Sequence, residues 1–183
     1  MRLFAGIPLD AAARAFVAAA ADALKRNGVR ARWTTAENWH VTLAFLGDVD
    51  DAAVPAISSA FNAVVGRAPL AQNSLGPFSL HLSNIGAFPT SRRPRVLWVG
   101  GPEQEQRFTI AALALRSAFE PLGFHFEDAP LAHVTIGRTT GAEPLLAPLL
   151  AAAHAMPVTH LALFESVRAS AGVRYEEREV IFL

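Results

Sequence analysis

Apolar residues recur along this chain in two rhythms, one of strands and one of helices. Leu3, Phe4, Ala5 and Ile7 form a dense run closed by Pro8-Leu9-Asp10, which predicts a short buried strand and then a helix capped by Asp10. The helical pattern continues to about Asn27, where Asn27-Gly28 stops it. The run His40-Val41-Thr42-Leu43-Ala44-Phe45-Leu46 predicts a strand ending at Gly47-Asp48, and about Asp50 to Val65 returns to helical spacing. Strands are predicted from Gly76 to Phe88 and from Arg95 to Val99, with a turn-rich stretch from Pro89 to Pro94 between them. A long helix is expected over about Glu103 to Leu122, then a strand over Leu131 to Arg138 and a helix over about Glu143 to His154. Strands Val158 to Ser166 and Val173 to Phe182 close the chain, with Ser170-Ala171-Gly172 as the turn of a hairpin. Strands and helices mix without strict alternation, which predicts an α+β fold of mostly antiparallel sheet. No low-complexity linker divides residues 1–183, so one domain is expected.

One segment of this pattern occurs twice. His40-Val41-Thr42-Leu43-Ala44 returns 93 residues later as His133-Val134-Thr135-Ile136-Gly137, both copies on predicted strands. In a pleated strand residues i and i+2 share a face, so each His shares its face with its Thr while Val41, Leu43, Val134 and Ile136 turn to the core. By the same parity Phe45 is assigned to the core, and Arg138 falls on the wrong face unless the strand bends or ends near Gly137. A histidine on one strand is ordinary; the same His-x-Thr at matching positions half a chain apart points to a site. Two imidazoles supply one neutral base and one protonated acid at the same pH, and two hydroxyls can donate to oxygens that gain charge. That division of labour suits in-line displacement at phosphorus. No third ligand accompanies the pair, so no metal site is predicted.

Composition narrows the reading. The 183 residues carry sixteen basic and sixteen acidic side chains, a formal charge of zero, so no whole-molecule field draws in a polyanion. Phosphate recognition must then be local, end-directed and only modestly salt-dependent. Cysteine is absent, which removes disulfides, thiolate nucleophiles and Cys-ligated zinc. Charged residues such as Arg14, Asp22, Lys25 and Arg26 interrupt the most apolar early stretch, so no membrane span and no signal peptide is expected, and the protein is read as cytoplasmic.

At the two His-x-Thr motifs the sequence resembles the 2H phosphoesterase superfamily, in particular its RNA 2′,3′-cyclic phosphodiesterase branch, the LigT-like proteins first described as 2′-5′ RNA ligases. The likeness extends through Arg2-Leu3-Phe4-Ala5-Gly6-Ile7-Pro8, Glu37-Asn38-Trp39-His40 to Gly47, Gly86-Ala87-Phe88-Pro89, Pro94 to Trp98, His133 to Arg138, and Glu165-Ser166 with Gly172 and Tyr175. It departs before the second motif, where Ala132 stands in place of the usual proline and Glu127-Asp128 in place of basic residues. The resemblance implies two pseudo-symmetric lobes around a central groove, no cofactor, and hydrolysis of 2′,3′-cyclic phosphate ends of RNA or oligonucleotides to a 2′-phosphate. It implies His40 and His133 as the acid-base pair and Thr42, Thr135 and Arg138 as phosphate contacts; His40 is read as the acid and His133 as the base, with the converse order left open. Arg32, Trp33, Phe88 and Arg92 are candidate contacts to the nucleotide, by basic charge or aromatic stacking. A monomer is expected. Related reactions on 2′-5′ linkages or small cyclic phosphates, ligation, and a non-catalytic nucleotide-binding module remain open alternatives.

Overall fold

The computed structural model describes residues 1–66, 75–102, 105–140, 143–145, 150, 152–170 and 172–183. Strand β1 (Arg2–Pro8) leads into helix α1 (Ala11–Arg26), whose first turn is capped by the Asp10 carboxylate accepting from the Ala13 N–H at 2.7 Å. Asn27 ends the helix, and Gly28 follows at φ +79°, a conformation that favours glycine. Two-residue strand β2 (Arg32–Trp33), a 3-10 turn over Ala36–Asn38, and strand β3 (His40–Asp48) come next. Helix α2 (Val54–Gly66) is followed by strands β4 (Phe78–Leu82), β5 (Asn84–Thr90) and β6 (Arg93–Gly100), then helix α3 (Gln106–Phe119). Strands β7 (His133–Arg138), β8 (His154–Val158), β9 (His160–Ala169) and β10 (Gly172–Phe182) complete the order.

All strand pairs among the described residues are antiparallel. The large sheet runs β10-β9-β1-β3-β7-β6-β5 with β2 alongside β7, and β4 pairs β8 in a separate ribbon. The two His-x-Thr strands, β3 and β7, are thus neighbours at the centre of one sheet. Helices cover one of its faces: Val41, Leu43, Val134 and Ile136 are fully buried in one core with Ala13, Val17 and Leu24 of α1 and Phe108, Leu115 and Phe119 of α3. Antiparallel sheet with helices packed against it is the α+β architecture expected.

Three predicted spans are corrected. The strand expected from Gly76 to Phe88 is two, broken at Ser83, whose N–H donates to the Gly100 carbonyl at 2.8 Å while β4 leaves for its own ribbon. The strand expected from Val158 is likewise divided at Thr159 between β8 and β9. The helix expected over Glu143 to His154 is not found: 143–145, 150, 152 and 153 are non-helical, His154 opens β8, and 141–142, 146–149 and 151 lie outside the described residues. Pro144 and Pro148 each lack an amide donor, and Met156 and Val158 bury themselves at strand spacing against β4 instead. The β9–β10 hairpin forms as expected, with residue 171 of its turn outside the described residues.

Arg116 on α3 is the one charged residue buried among those described, 9 % exposed. Its Nε donates to the Leu43 carbonyl at 3.1 Å, its Nη1 to the Asp128 carbonyl, and its guanidinium lies 5.2 Å from the Phe126 ring centroid. Arg116→Met, of similar length but without donors, is expected to cost about 2 kcal/mol, because two carbonyls lose charge-assisted partners. Denaturant unfolding measures it; an unchanged midpoint would show that water replaces the guanidinium.

Candidate active site

A single residue pair, Val41↔Val134, joins β3 to β7. Extending that antiparallel register sets His40 opposite Thr135 and Thr42 opposite His133, all on the face away from the helices, in a local two-fold arrangement. In such a register directly opposite residues have Cβ atoms about 5 Å apart and diagonal ones, as His40 and His133 are, about 7–8 Å.

Both strands then depart from regular pleating at the same point. Along β1–β3 the register steps from Gly6↔Thr42 to Ala5↔Ala44, and along β6–β7 from Trp98↔Thr135 to Leu97↔Gly137. Leu43 and Ile136, each directly after its motif threonine, are the extra residues of these bulges. Their carbonyls are satisfied by distant partners: Leu43 by Arg116 Nε, Ile136 by the Thr34 N–H at 2.9 Å. An extra residue inverts the parity beyond it. The strands consequently share one burial sequence, with the fifth residue after each histidine, Phe45 and Arg138, exposed on the groove side. Phe45 is 50 % exposed, which corrects its assignment to the core. Arg138 reaches the groove by the bend at Ile136-Gly137 that its sequence position required. Gly137 also lets β2 approach: a Cβ there would stand 3.2 Å from the Trp33 ring and 3.3 Å from Ala31 Cβ.

His40, Thr42, Thr135 and Arg138 line one groove of about 410 Å³. Each imidazole is held from behind by a carbonyl two residues back, His40 Nδ1 by Asn38 at 2.8 Å and His133 Nδ1 by Leu131 at 2.9 Å. A carbonyl can only accept, so Nδ1 carries hydrogen in both rings and Nε2 is the working nitrogen. His40 Nε2 stands 3.1 Å from Thr42 Oγ1, which donates to it while the ring is neutral.

Aromatic walls surround both rings. Phe4 stands 4.5 Å, Tyr175 5.0 Å and Phe164 5.9 Å from the His40 centroid; Phe88 stands 5.0 Å and Trp98 6.3 Å from that of His133. Burial among these rings disfavours the imidazolium. It pushes His40 down to about 4, against the Asn38 carbonyl, with His133 and Arg14 adding to the effect. Burial also lowers His133, but there the Leu131 carbonyl and Asp128 both pull the other way.

Among the candidate nucleotide contacts, Phe88 meets the His133 ring edge-on at 82°. Arg32 is exposed on β2 opposite Arg138, and Arg92 is exposed in the β5–β6 turn. Trp33 packs against the core with Lys25 Nζ 5.3 Å from its ring centroid, and it does not line this groove. Sequence reasoning passed over Phe45, Arg2, Tyr175 and Asn38 as site residues. Asn38 ties β10 to the turn before His40, donating from Nδ2 to the Val173 carbonyl at 2.7 Å and accepting the Tyr175 N–H at 3.2 Å. The signal for Phe45 lay in the small residue four places after each histidine, Ala44 and Gly137, where both bulges sit.

No helix among the described residues is long and apolar enough to cross a membrane. No cluster of three or more His, Asp or Glu suited to a metal ion occurs among them either.

The LigT-like phosphoesterase family pattern matches residues 7–98, the half that carries His40. The chain is 31 % identical over 151 residues to an RNA 2′,3′-cyclic phosphodiesterase of Archaeoglobus fulgidus, covering 82 % of this chain and 79 % of that one. It is 30 % identical over 190 residues to the protein of the same name from Methanothermobacter thermautotrophicus, covering 100 % and 99 %. The crystal structure of E. coli LigT complexed with 3′-AMP superposes with a TM-score of 0.77 at 26 % identity, over 100 % of this chain and 97 % of that one. A family match over half its length, and relatives of this likeness over most of it, show that the chain belongs to the LigT-like phosphoesterases.

Proposed function

We propose that this protein opens 2′,3′-cyclic phosphate ends of RNA or oligonucleotides by metal-independent hydrolysis, leaving a 2′-phosphate. The observation that carries the reading is the two-fold His-x-Thr arrangement about Val41–Val134, with both Nδ1 atoms tied to carbonyls so that Nε2 is the working nitrogen of each ring. The names of the relatives supply the substrate class.

Burial lowers both rings in the free protein, so it does not by itself divide the roles. Thr42 donates to His40 Nε2 while that ring is neutral and is freed for the phosphate once the ring is protonated, which suits His40 as acid. His133, held at Nδ1 by the Leu131 carbonyl, presents Nε2 as base. His133 Nε2 takes a proton from water as the water oxygen bonds to phosphorus; the P–O3′ bond breaks, and His40 gives its Nε2 proton to O3′. Thr42, Thr135 and Arg138 donate to the non-bridging oxygens, whose charge grows in the transition state. The phosphate stays on O2′.

Purified protein incubated with excess chelator and an oligonucleotide ending in a 2′,3′-cyclic phosphate is expected to convert it to the 2′-phosphate, separable by chromatography from the 3′-isomer. Activity abolished by chelator and restored by a divalent metal would overturn the mechanism.

A further inference from the structure

The two imidazoles are anchored alike, but the carbonyls that anchor them are held differently. Leu131 stands before Ala132, which is buried and whose carbonyl accepts from the Gly101 N–H at 3.3 Å. Asn38 instead ends the 3-10 turn Ala36–Asn38, a form whose hydrogen-bond geometry is poorer than that of an α-helix.

That turn is gripped from two sides. Arg14 of α1 donates from Nη1 to the Ala36 carbonyl and from Nε to the Leu9 carbonyl at 3.2 Å. On the other side Asn38 itself grips β10: its Nδ2 donates to the Val173 carbonyl at 2.7 Å, and its Oδ1 accepts the Tyr175 N–H at 3.2 Å. A primary amide offers a donor and an acceptor side by side, so it meets β10 as a strand's own peptide group would.

Asn38 therefore joins His40 to β10 through its two halves. Its main-chain carbonyl accepts from His40 Nδ1 at 2.8 Å, and its amide fixes where that carbonyl points. The bond from the Tyr175 N–H also sets the Tyr175 ring, which meets the His40 ring edge-on at 90° with centroids 5.0 Å apart. The same carbonyl favours the His40 imidazolium against burial, the form an acid needs. Leu131, at the matching place before His133, has no polar side chain to make such bonds.

We propose that Asn38 is a positioning residue for His40: by bonding β10 through its side chain it fixes the carbonyl that aims His40 Nε2 at the reacting phosphate group. This rests on the cyclic-phosphodiesterase reading and adds what holds one of its two rings in place. Asn38 acts through the ring. Its loss slows proton transfer while Thr42, Thr135 and Arg138 go on holding phosphate.

The test compares kcat and KM on a 2′,3′-cyclic mononucleotide for wild type, Asn38→Ala and Asn38→Ser, whose hydroxyl is too short to serve both groups of β10. Asn38 is only partly buried, and melting curves check that both variants fold. Each is expected to lose roughly 10- to 100-fold in kcat, the scale of a small misplacement of a catalytic group, with KM held. Asn38→Ala is then added to His40→Ala under single-turnover conditions with enzyme in excess. There it should cost nothing further, because its effect passes through the missing ring. If wild type is active and the variants keep its kcat, raise KM alone, or lose as much without His40 as with it, this inference fails and the functional reading stands. If wild type opens no cyclic phosphate, the functional reading fails and the inference with it.

Discussion

His40→Ala and His133→Ala are each expected to lower kcat on a 2′,3′-cyclic phosphate by roughly 10²- to 10⁴-fold, the range for removing one general acid or base. Val41, Leu43, Val134 and Ile136 on the opposite face hold the strands to the helices, so the fold is expected to survive loss of either ring. Loss of an imidazole should therefore fall on kcat, with KM carried by Thr42, Thr135 and Arg138. The double variant should be little slower than the worse single one, because acid and base act in one concerted displacement and their effects do not add. A double variant slower by the product of the two single effects would mean that the histidines act in separate steps. Either single variant keeping more than a tenth of wild-type kcat would remove that histidine from the chemistry.

Acid is expected to weaken both fold and binding-limited turnover in a window set by His40. Its folded-state value is pushed from 6.5 down to about 4, so between those limits the unfolded chain binds the proton more readily. Its contribution to stability is fully present above pH 6.5, falls as pH falls, and is exhausted near pH 4. At about 1.4 kcal/mol per pH unit this amounts to roughly 3 kcal/mol, and His133, lowered by the same burial, adds in the same direction. Unfolding midpoints measured from pH 7 to pH 4 should drop more steeply for wild type than for His40→Ala. Parallel curves would show that the ring is solvated in the native state. The rate follows the same groups: kcat/KM needs His133 neutral and His40 charged in the free enzyme, and burial lowers both, so its bell should peak on the acid side of pH 6.5. The bound phosphate favours imidazolium, so kcat should peak at higher pH than kcat/KM. An optimum of kcat/KM above pH 7 would contradict the burial of both rings.

Part of this site could be read from local spacing. His-x-Thr places two polar groups on one face wherever a strand stays regular, and Val41, Leu43, Val134 and Ile136 mark the opposite face as core. Helix α1 was equally legible, because Asp10 and Asn27-Gly28 sit at its ends and its cap bonds span three residues. Phe45 was misassigned for a reason outside the local pattern. The bulge at Leu43 inverts parity, and its carbonyl is held by Arg116, 73 residues away. The bulge at Ile136 is held by Thr34, which is more distant still. The region after Glu143 failed similarly: alanine and leucine favour a helix there, and pairing with β4 decides that His154–Val158 is strand.

The sequence by itself determined the chemistry available: two titrating rings, two hydroxyls, no thiol and no net charge to hold a long polyanion. It also determined which face of each motif strand is apolar, because alternation is a property of neighbours along the chain. Tertiary structure decided how those groups are arrayed. It set β3 beside β7 at Val41–Val134, and it enclosed the imidazoles in rings from five strands. It also turned Phe45 and Arg138 toward the groove. Register, burial and the satisfaction of a bulge carbonyl all depend on residues far apart in the chain. No window of local sequence contains both partners of those contacts.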